Sequence, residues 1–441
     1  MRCLPPDHQE RRGDRVLMLW GDIPYWTVVD RTAARFIGEL ASGHSVNAAL
    51  STAANREPDF ALERDAAIVV SQLRRAGVVG SRRLKPPKER IESISVNVTN
   101  RCNLRCAFCY NIDRADEGAE LSAEEMIEAL DSVRRETVKG AALAILGGEP
   151  MLEKEKTLAL AEWAVRRELR PIVSTNGLLV DEDFARRAAG IGLECQVSID
   201  GASAESHEAA RGEGTFERAL DAVRTFRAAG CHTIMSMVFH AGNVAEIPEY
   251  LRLAQSVGAD EARFIPIKQV AGGGDYAAAD LAGVIRLVTD TIAVEPELAT
   301  LLGRDYVSIL AQTCQACALR QSCGTGSQTF LLDADGTVYP CISLPYPEFA
   351  AGNVRETPLR EIWRNSPVLA ALRPRVRTDA RESTCAKCEV RYWCMGGCRG
   401  ETYDATGRLD APSVTCKQAR SSIVEMLWTL SDHPELLHGE E

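Results

Sequence analysis

No segment of this 441-residue chain is long and apolar enough to cross a bilayer. The first residues, Met1 to Asp14, are polar and charged, so they lack the apolar stretch of a secretory signal. Positive charge is in deficit: 51 Lys and Arg face 62 Asp and Glu, for a net charge of -11. That balance argues against a nucleic-acid backbone as the main partner, because the attraction needs a basic face. Internal repeats and low-complexity tracts are also missing. What is left is a cytoplasmic globular chain with no membrane partner, long enough for two or three domains.

Cysteine is abundant, with 15 in all. A reducing compartment disfavours disulfides, so ligation of a metal or cluster is the better reading. Three fall at Cys102, Cys106 and Cys109, in Thr99-Asn-Arg-Cys-Asn-Leu-Arg-Cys-Ala-Phe-Cys-Tyr110. A dense group follows from Cys314 to Cys416. Cys3, Cys195, Cys231 and Cys314 stand outside both patterns and read as small buried hydrophobes.

The chain divides into three blocks, at 1–90, 91–300 and 301–441. In the first, apolar stretches Val16–Trp20 and Tyr25–Val29 flank a turn at Gly21–Pro24, and helical patterns follow at Arg31–Ala41, Val46–Ala54 and Leu62–Ala76. Two strands and three helices predict a winged-helix-like module. A linker with Lys85-Pro-Pro-Lys88 leads to the second block. There, short strands at Ser93–Val98, Leu143–Leu146, Ile172–Ser174, Gln196–Ile199, Thr233–Phe239 and Arg263–Ile265 alternate with amphipathic helices. Capping boxes are predicted at Ser122 with Glu125 and at Asn243 with Glu246. Six βα units predict an α/β fold, a partial (β/α)6 barrel of TIM type with its chemistry at the C-terminal strand ends. Residues 276–312 read as mainly helical. The third block is cysteine-rich and closes with a helix at Lys417–Leu430.

The C-x3-C-x2-C group follows the first barrel strand, and three thiolates so spaced can hold three corners of an iron-sulfur cube with one iron open. Structural zinc needs four ligands, and no fourth cysteine is near. Gly147-Gly-Glu-Pro150 follows the second strand; its glycines allow close backbone approach to a ligand, and Glu149 can anchor a cation or shape the loop.

From about Ile91 onward the chain resembles the radical S-adenosylmethionine enzymes. The resemblance implies that Cys102, Cys106 and Cys109 hold a 4Fe-4S cluster whose open iron chelates S-adenosylmethionine. It places Phe108 near the adenine and gives the methionine amino group to Gly147, Gly148, Glu149 and Pro150. Ser174 and Asn176 in Ser174-Thr-Asn-Gly177, and Ser198 and Asp200 in Val197-Ser-Ile-Asp-Gly201, resemble loops that touch cofactor or substrate. Arg211, with Ser198 as its neighbour, has the position of an arginine used for the cofactor carboxylate, which suits its fork geometry. The implied reaction cleaves the sulfonium with one electron, and a 5'-deoxyadenosyl radical abstracts a hydrogen.

Cys323, Cys341, Cys385, Cys388, Cys394, Cys398 and Cys416 match the seven-cysteine pattern of the SPASM extension. By that resemblance one auxiliary cluster uses Cys317, Cys323, Cys341 and Cys398 and the other Cys385, Cys388, Cys394 and Cys416, for three 4Fe-4S clusters in all; Cys314 competes with Cys317. Full coordination favours electron transfer over substrate ligation. Leu332-Asp-Ala-Asp-Gly-Thr-Val338 lacks the later ligands of a calcium loop and reads as a hairpin turn. The first block resembles the PqqD-like peptide-recognition element (RRE) of ribosomal peptide maturases, which binds a leader peptide as an added strand; its balanced charges do not suit a DNA-binding winged helix.

The expectation is a radical enzyme that modifies a ribosomally made precursor peptide, forming a thioether or carbon-carbon crosslink. It would receive electrons from a donor such as flavodoxin or ferredoxin. The catalytic acid or base is not identified; Lys268 and Gln269 qualify by position alone. Alternatives are a formylglycine-generating sulfatase maturase, a small-molecule radical oxidoreductase, and an iron-sulfur carrier or scaffold without turnover. A carrier has no need of an open iron or a sulfonium pocket.

Overall fold

The computed structural model describes residues 3–55, 60–80, 89–109, 111, 119–268, 276–303, 319–380 and 383–434. The chain opens with β1 (His8–Arg12), β2 (Arg15–Trp20), β3 (Tyr25–Asp30), α1 (Arg31–Ala41), α2 (Val46–Ala54) and α3 (Phe60–Ala76). Asp30 and Ser45 cap α1 and α2 by accepting from the N–H groups of Ala33 and Ala48. The sequence predicts two strands here and the structure has three. β1 has no apolar alternation; it is fixed by an antiparallel ladder to β2 that runs from His8 opposite Leu19 to Arg12 opposite Arg15.

The β2 run Val-Leu-Met-Leu-Trp is apolar on both faces because both are covered. Met18 and Trp20 face a local core with Phe36, Ile37, Leu40 and Leu73, whereas Leu17 and Leu19 join the main core of the molecule. Burying each leucine contributes roughly 1.5–3 kcal/mol, so the first block is packed onto the rest.

The second block runs β4 (Ile91–Asn97), α4 (Ala123–Ser132), β5 (Thr137–Leu146), α5 (Lys154–Arg166), β6 (Arg170–Thr175), α6 (Glu182–Ile191), β7 (Glu194–Ser198), α7 (Ala204–Arg211), α8 (Phe216–Ala229), β8 (Thr233–Phe239), α9 (Ile247–Ser256) and β9 (Glu261–Pro266). β4 to β9 pair in sequence order, all parallel. Each predicted barrel strand lies on or overlaps one of these six. The capping box of Ser122 and Glu125 is present. That of Asn243 and Glu246 is not: buried Asn243 donates to the carbonyls of Asp200 at 2.9 Å and Val238 at 3.0 Å, while Glu246 accepts from Ala202 N–H at 2.8 Å. These side chains tie strand ends together, and α9 starts later, with a proline in its first turn.

After α10 (Leu281–Val294), β10 (Thr329–Leu332) pairs in parallel with β4, placing Phe330 opposite Ile94. β11 (Thr337–Tyr339) and β12 (Gly352–Asn353) extend the sheet antiparallel, giving nine strands among the described residues. The cysteine-rich block therefore continues the barrel sheet, and the Leu332–Gly336 turn joins β10 to β11 as a hairpin, with Gly336 N–H on Asp333 O at 3.0 Å. Helices α11 (Leu359–Asn365), α12 (Pro367–Arg375), α13 (Arg391–Cys394), α14 (Arg399–Thr406) and α15 (Cys416–Asp432) follow among the described residues. Among the described residues no helix is long and apolar enough to cross a membrane.

Candidate active site

The cysteine loop after β4 rests directly on the Gly-Gly-Glu-Pro loop after β5. Gly148 N–H donates to Thr99 O at 2.8 Å and Glu149 N–H to Arg101 O at 2.9 Å. A Cβ on Gly148 would stand 2.1 Å from Arg101 O, and one on Gly147 would stand 2.4 Å from Thr99 O. The glycines thus admit the cysteine-loop backbone itself. Pro150 is buried and opens the turn that follows.

Glu149 is 1% exposed and surrounded by donors. Its Oε1 accepts from Met151 N–H at 2.9 Å and from the Thr175 hydroxyl at 2.6 Å, and its Oε2 from Asn176 N–H at 2.8 Å. Burial raises its pKa, and these donors oppose the rise. Of the two roles the sequence allows it, loop shaping is the one its contacts describe. Asn176 reaches the cysteine loop through Nδ2 to Asn103 Oδ1 at 2.8 Å; Thr175 and Asn103 both lie inside motif segments, but the contacts alone give them a role. Ser174 instead accepts from Gln196 Nε2 at 3.1 Å, and Gln196 Oε1 accepts from Arg263 Nη1 at 2.9 Å.

Arg211, at the last position of α7, pairs through Nε with Asp200. Asp200 is buried and Arg211 nearly so, with side chains 1% and 11% exposed. Ser198 is two residues from this partner, at the end of β7. Ala107 N–H donates to Ala210 O at 2.9 Å, which brings Arg211 against the cysteine loop. Asp200 also accepts from Val238 N–H at 2.8 Å, and its own N–H donates to His207 Nδ1 at 3.1 Å. Burial first, and then Arg211, lowers the His207 pKa to about 4, so its ring is neutral and Nε2 carries the proton.

Phe108 meets the Tyr276 ring edge-on, with centroids 5.6 Å apart, and Tyr276 meets His240 at 4.6 Å. A cavity of about 310 Å³ opens beside them, lined in part by Ser203, Ser206, Ala210, His240 and Tyr276. Neither His240 nor Tyr276 lies in a recognisable motif.

The loop thiols carry backbone donors: Leu104 N–H to Cys102 Sγ and Asn111 N–H to Cys109 Sγ, each at 3.4 Å. Burial pushes Cys102 up to about 11 and raises Cys106 against the pull of Arg211. Both are therefore protonated in the free protein near neutral pH, and ligation must release protons.

Downstream, the thiols sort into two sets by the fields they exert. Burial lifts Cys341 to about 12, with Cys323 and Cys398 adding to the rise. Burial likewise lifts Cys394 to about 11, with Cys385, Cys388 and Cys416 adding to it. The described thiols are all free. Cys317 and Cys314 lie outside the described residues, as does Gln269. Lys268 is half-buried near the first set: desolvation lowers its pKa, but Cys398, Glu401, Cys341 and Cys323 raise it further. A lysine so placed keeps its proton and is poorly suited to act as a base.

Among the described residues, buried donors without partners accompany these thiols in the chain: Trp393 Nε1, adjacent in sequence to Cys394, and Arg399 Nε and Nη2, adjacent in sequence to Cys398. Unpaired N–H groups and a buried guanidinium suit an anionic body held by thiolates. Their chemistry suits an iron-sulfur cluster, though among the described residues no three ligand side chains stand together as a formed metal site.

Comparison with known proteins agrees with this geometry. Residues 96–254 match the family described as the Radical SAM superfamily, and residues 323–389 match the SPASM iron-sulfur cluster-binding domain. Mycofactocin maturase MftC of Mycobacterium tuberculosis is 30% identical over 332 residues, covering 74% of this chain and 82% of that protein. An AdoMet-dependent heme synthase of Methanosarcina barkeri is 28% identical over 333 residues, covering 71% and 93%. Among solved structures, Streptococcus suis SuiB bound to precursor peptide SuiA superposes with a TM-score of 0.60 at 16% identity, covering 95% of this chain and 100% of that one.

Proposed function

The chain belongs to the radical SAM superfamily, and from that premise we propose that it matures a ribosomally made precursor peptide by installing a thioether or carbon-carbon crosslink. S-adenosylmethionine and 4Fe-4S clusters are its cofactors. The observation that carries the peptide reading is coverage. The fold matches the peptide-bound SuiB chain over its whole length, so the three-stranded block ahead of the barrel belongs to the shared architecture. The mycofactocin maturase relative, by its name, supports the same class.

In this reading Cys102, Cys106 and Cys109 hold the reactive cluster, and two further clusters sit in the downstream thiol sets. When bound, the reduced cluster and S-adenosylmethionine supply a 5'-deoxyadenosyl radical. The chain's own residues do the positioning. The Gly147–Pro150 loop and Asn176 brace the cysteine loop from below. Arg211 brings positive charge to Cys106 and the cofactor carboxylate, and Asp200 fixes its direction. Phe108, Tyr276 and His240 form an aromatic wall for the adenine. Lys268, held protonated, faces the first auxiliary set as a fixed cation. The leader adds as a strand to a sheet edge of the first block, and a flavodoxin or ferredoxin supplies electrons.

The heme synthase relative favours a second reading, a small-molecule substrate. One measurement tests the enzyme reading, and a second separates the peptide from the small molecule. Anaerobically reconstituted enzyme with dithionite and S-adenosylmethionine should form 5'-deoxyadenosine, and Cys102→Ala with Cys106→Ala should abolish it; no product from the wild type sinks the enzyme reading. Mass spectrometry of a short peptide encoded beside the gene, co-expressed with the enzyme, should show loss of hydrogen. An unmodified peptide that also fails to bind the full chain moves the assignment to a small molecule.

A further inference from the structure

We propose that the N-terminal domain is a structural part of the second auxiliary cluster site, because its β2–β3 turn and its sheet hold both chain segments that carry that site's cysteines. Cys385, Cys388 and Cys394 lie on one segment, and Cys416 opens the separate helix α15.

The first segment is gripped at the turn. Gly21 approaches Glu389 so closely that a Cβ on it would stand 2.6 Å from Glu389 Cα and 2.7 Å from its carbonyl oxygen. Next to it, Asp22 pairs with Arg391, whose side chain is only 8% exposed and whose Nη1 donates to Cys388 O at 2.9 Å. The ion pair is thus in series with the backbone of a thiol-bearing residue. It crosses 369 positions of sequence.

The second segment is gripped at its far end. Arg12 pairs with Glu425 at 2.9 Å, Arg15 pairs with Asp432 and donates to Ser431 Oγ at 2.8 Å, and Trp428 Nε1 donates to Glu10 at 3.0 Å. The two guanidinium groups lie 4.9 and 5.5 Å from the Trp428 ring centroid. Between the grips, Arg420 of α15 pairs with Glu389, linking the two segments directly. Leu17 and Leu19 are buried in the same core as Val390, Trp393, Leu427 and Trp428.

Releasing either grip therefore lets Cys388 and Cys416 move relative to each other, and ligands must converge closely to hold a cluster. The inference rests on the assignment of Cys385, Cys388, Cys394 and Cys416 to one cluster. It adds that substrate recognition, placed on the same sheet, touches the electron path.

The test uses the full chain, reconstituted anaerobically, as wild type, Asp22→Arg, Gly21→Val, and the reversed pair Asp22→Arg with Arg391→Asp. Each single variant should lose one auxiliary cluster's share of iron and sulfide together with its electron paramagnetic resonance signal. The reactive cluster's signal and 5'-deoxyadenosine formation should persist, and circular dichroism should stay native. The reversed pair should recover part of the missing iron. Unchanged iron and unchanged signals in both single variants would overturn the clamp. A wild-type chain that binds only two clusters would instead overturn the ligand assignment, and the clamp with it.

Discussion

Glu149→Gln isolates what the Gly-Gly-Glu-Pro loop requires of its carboxylate. All three partners of Glu149 are donors: two backbone N–H groups and the Thr175 hydroxyl. The hydroxyl already accepts from Gly177 N–H at 3.0 Å, which commits its own proton to Glu149. A glutamine has one acceptor oxygen and one donor nitrogen. With the nitrogen toward Asn176, it confronts an N–H and loses that bond. Turned the other way, it confronts Met151 N–H and the hydroxyl, and loses two. The better orientation gives up one charge-assisted bond and leaves a buried N–H unsatisfied, a loss of roughly 2–4 kcal/mol. Urea unfolding of the anaerobic, reconstituted protein should show that loss, with weaker S-adenosylmethionine binding as a consequence of the slack loop. Wild-type unfolding combined with lost cofactor affinity would refute the argument, because it would mean that the carboxylate contacts a ligand cation and braces nothing.

Gly148→Ala should impair loading of the Cys102–Cys109 cluster while leaving auxiliary iron intact, since its Cβ would meet Arg101 O at 2.1 Å and overpacking of this kind costs about 1–3 kcal/mol; full loading by iron assay would contradict this. Arg211→Gln leaves the Asp200 carboxylate buried without its cation and should destabilise the chain by roughly 3–5 kcal/mol in urea, with Arg211→Lys recovering part of the loss. His207 titrates at about 4 in the folded chain against an ordinary 6.5. Between those pH values the unfolded chain takes up a proton that the folded chain refuses, so stability falls as pH drops through the window, by up to roughly 3 kcal/mol. Urea midpoints from pH 7 to 4.5 should fall less steeply for His207→Gln than for wild type, and equal slopes would rule out His207 as the source.

What was legible in the sequence was local. Strands that carry an apolar run, such as Thr233–Phe239, could be read because one segment holds the whole signal. The Ser122 capping box could be read for the same reason. Asn243 shows the limit. Its spacing to Glu246 satisfies the cap pattern, yet both side chains are recruited by the β7–α7 connection, through Asp200 O and Ala202 N–H. Helix propensity and spacing say nothing of such partners. β1 was illegible because its pairing comes from β2, and the polar residues that fill it are held in part by α15.

The same divide runs through the site. The cysteine spacings and Gly147–Pro150 announce their chemistry, but the reason for the two glycines lies in a neighbouring loop, and the partner of Arg211 is Asp200, eleven positions away. Longer connections leave still less trace: Asn97 of β4 donates to Asp333, in the hairpin after β10, across 236 positions. That bond crosses the junction where the cysteine-rich block joins the barrel sheet. A buried polar bond is worth little in net stability, but breaking it strands its partners, so it specifies how the two parts align more than how tightly they hold. Alignment is what electron transfer between separate clusters demands. The long-range pairs that sequence patterns cannot display are thus the ones that turn three cysteine groups into one proposed electron path.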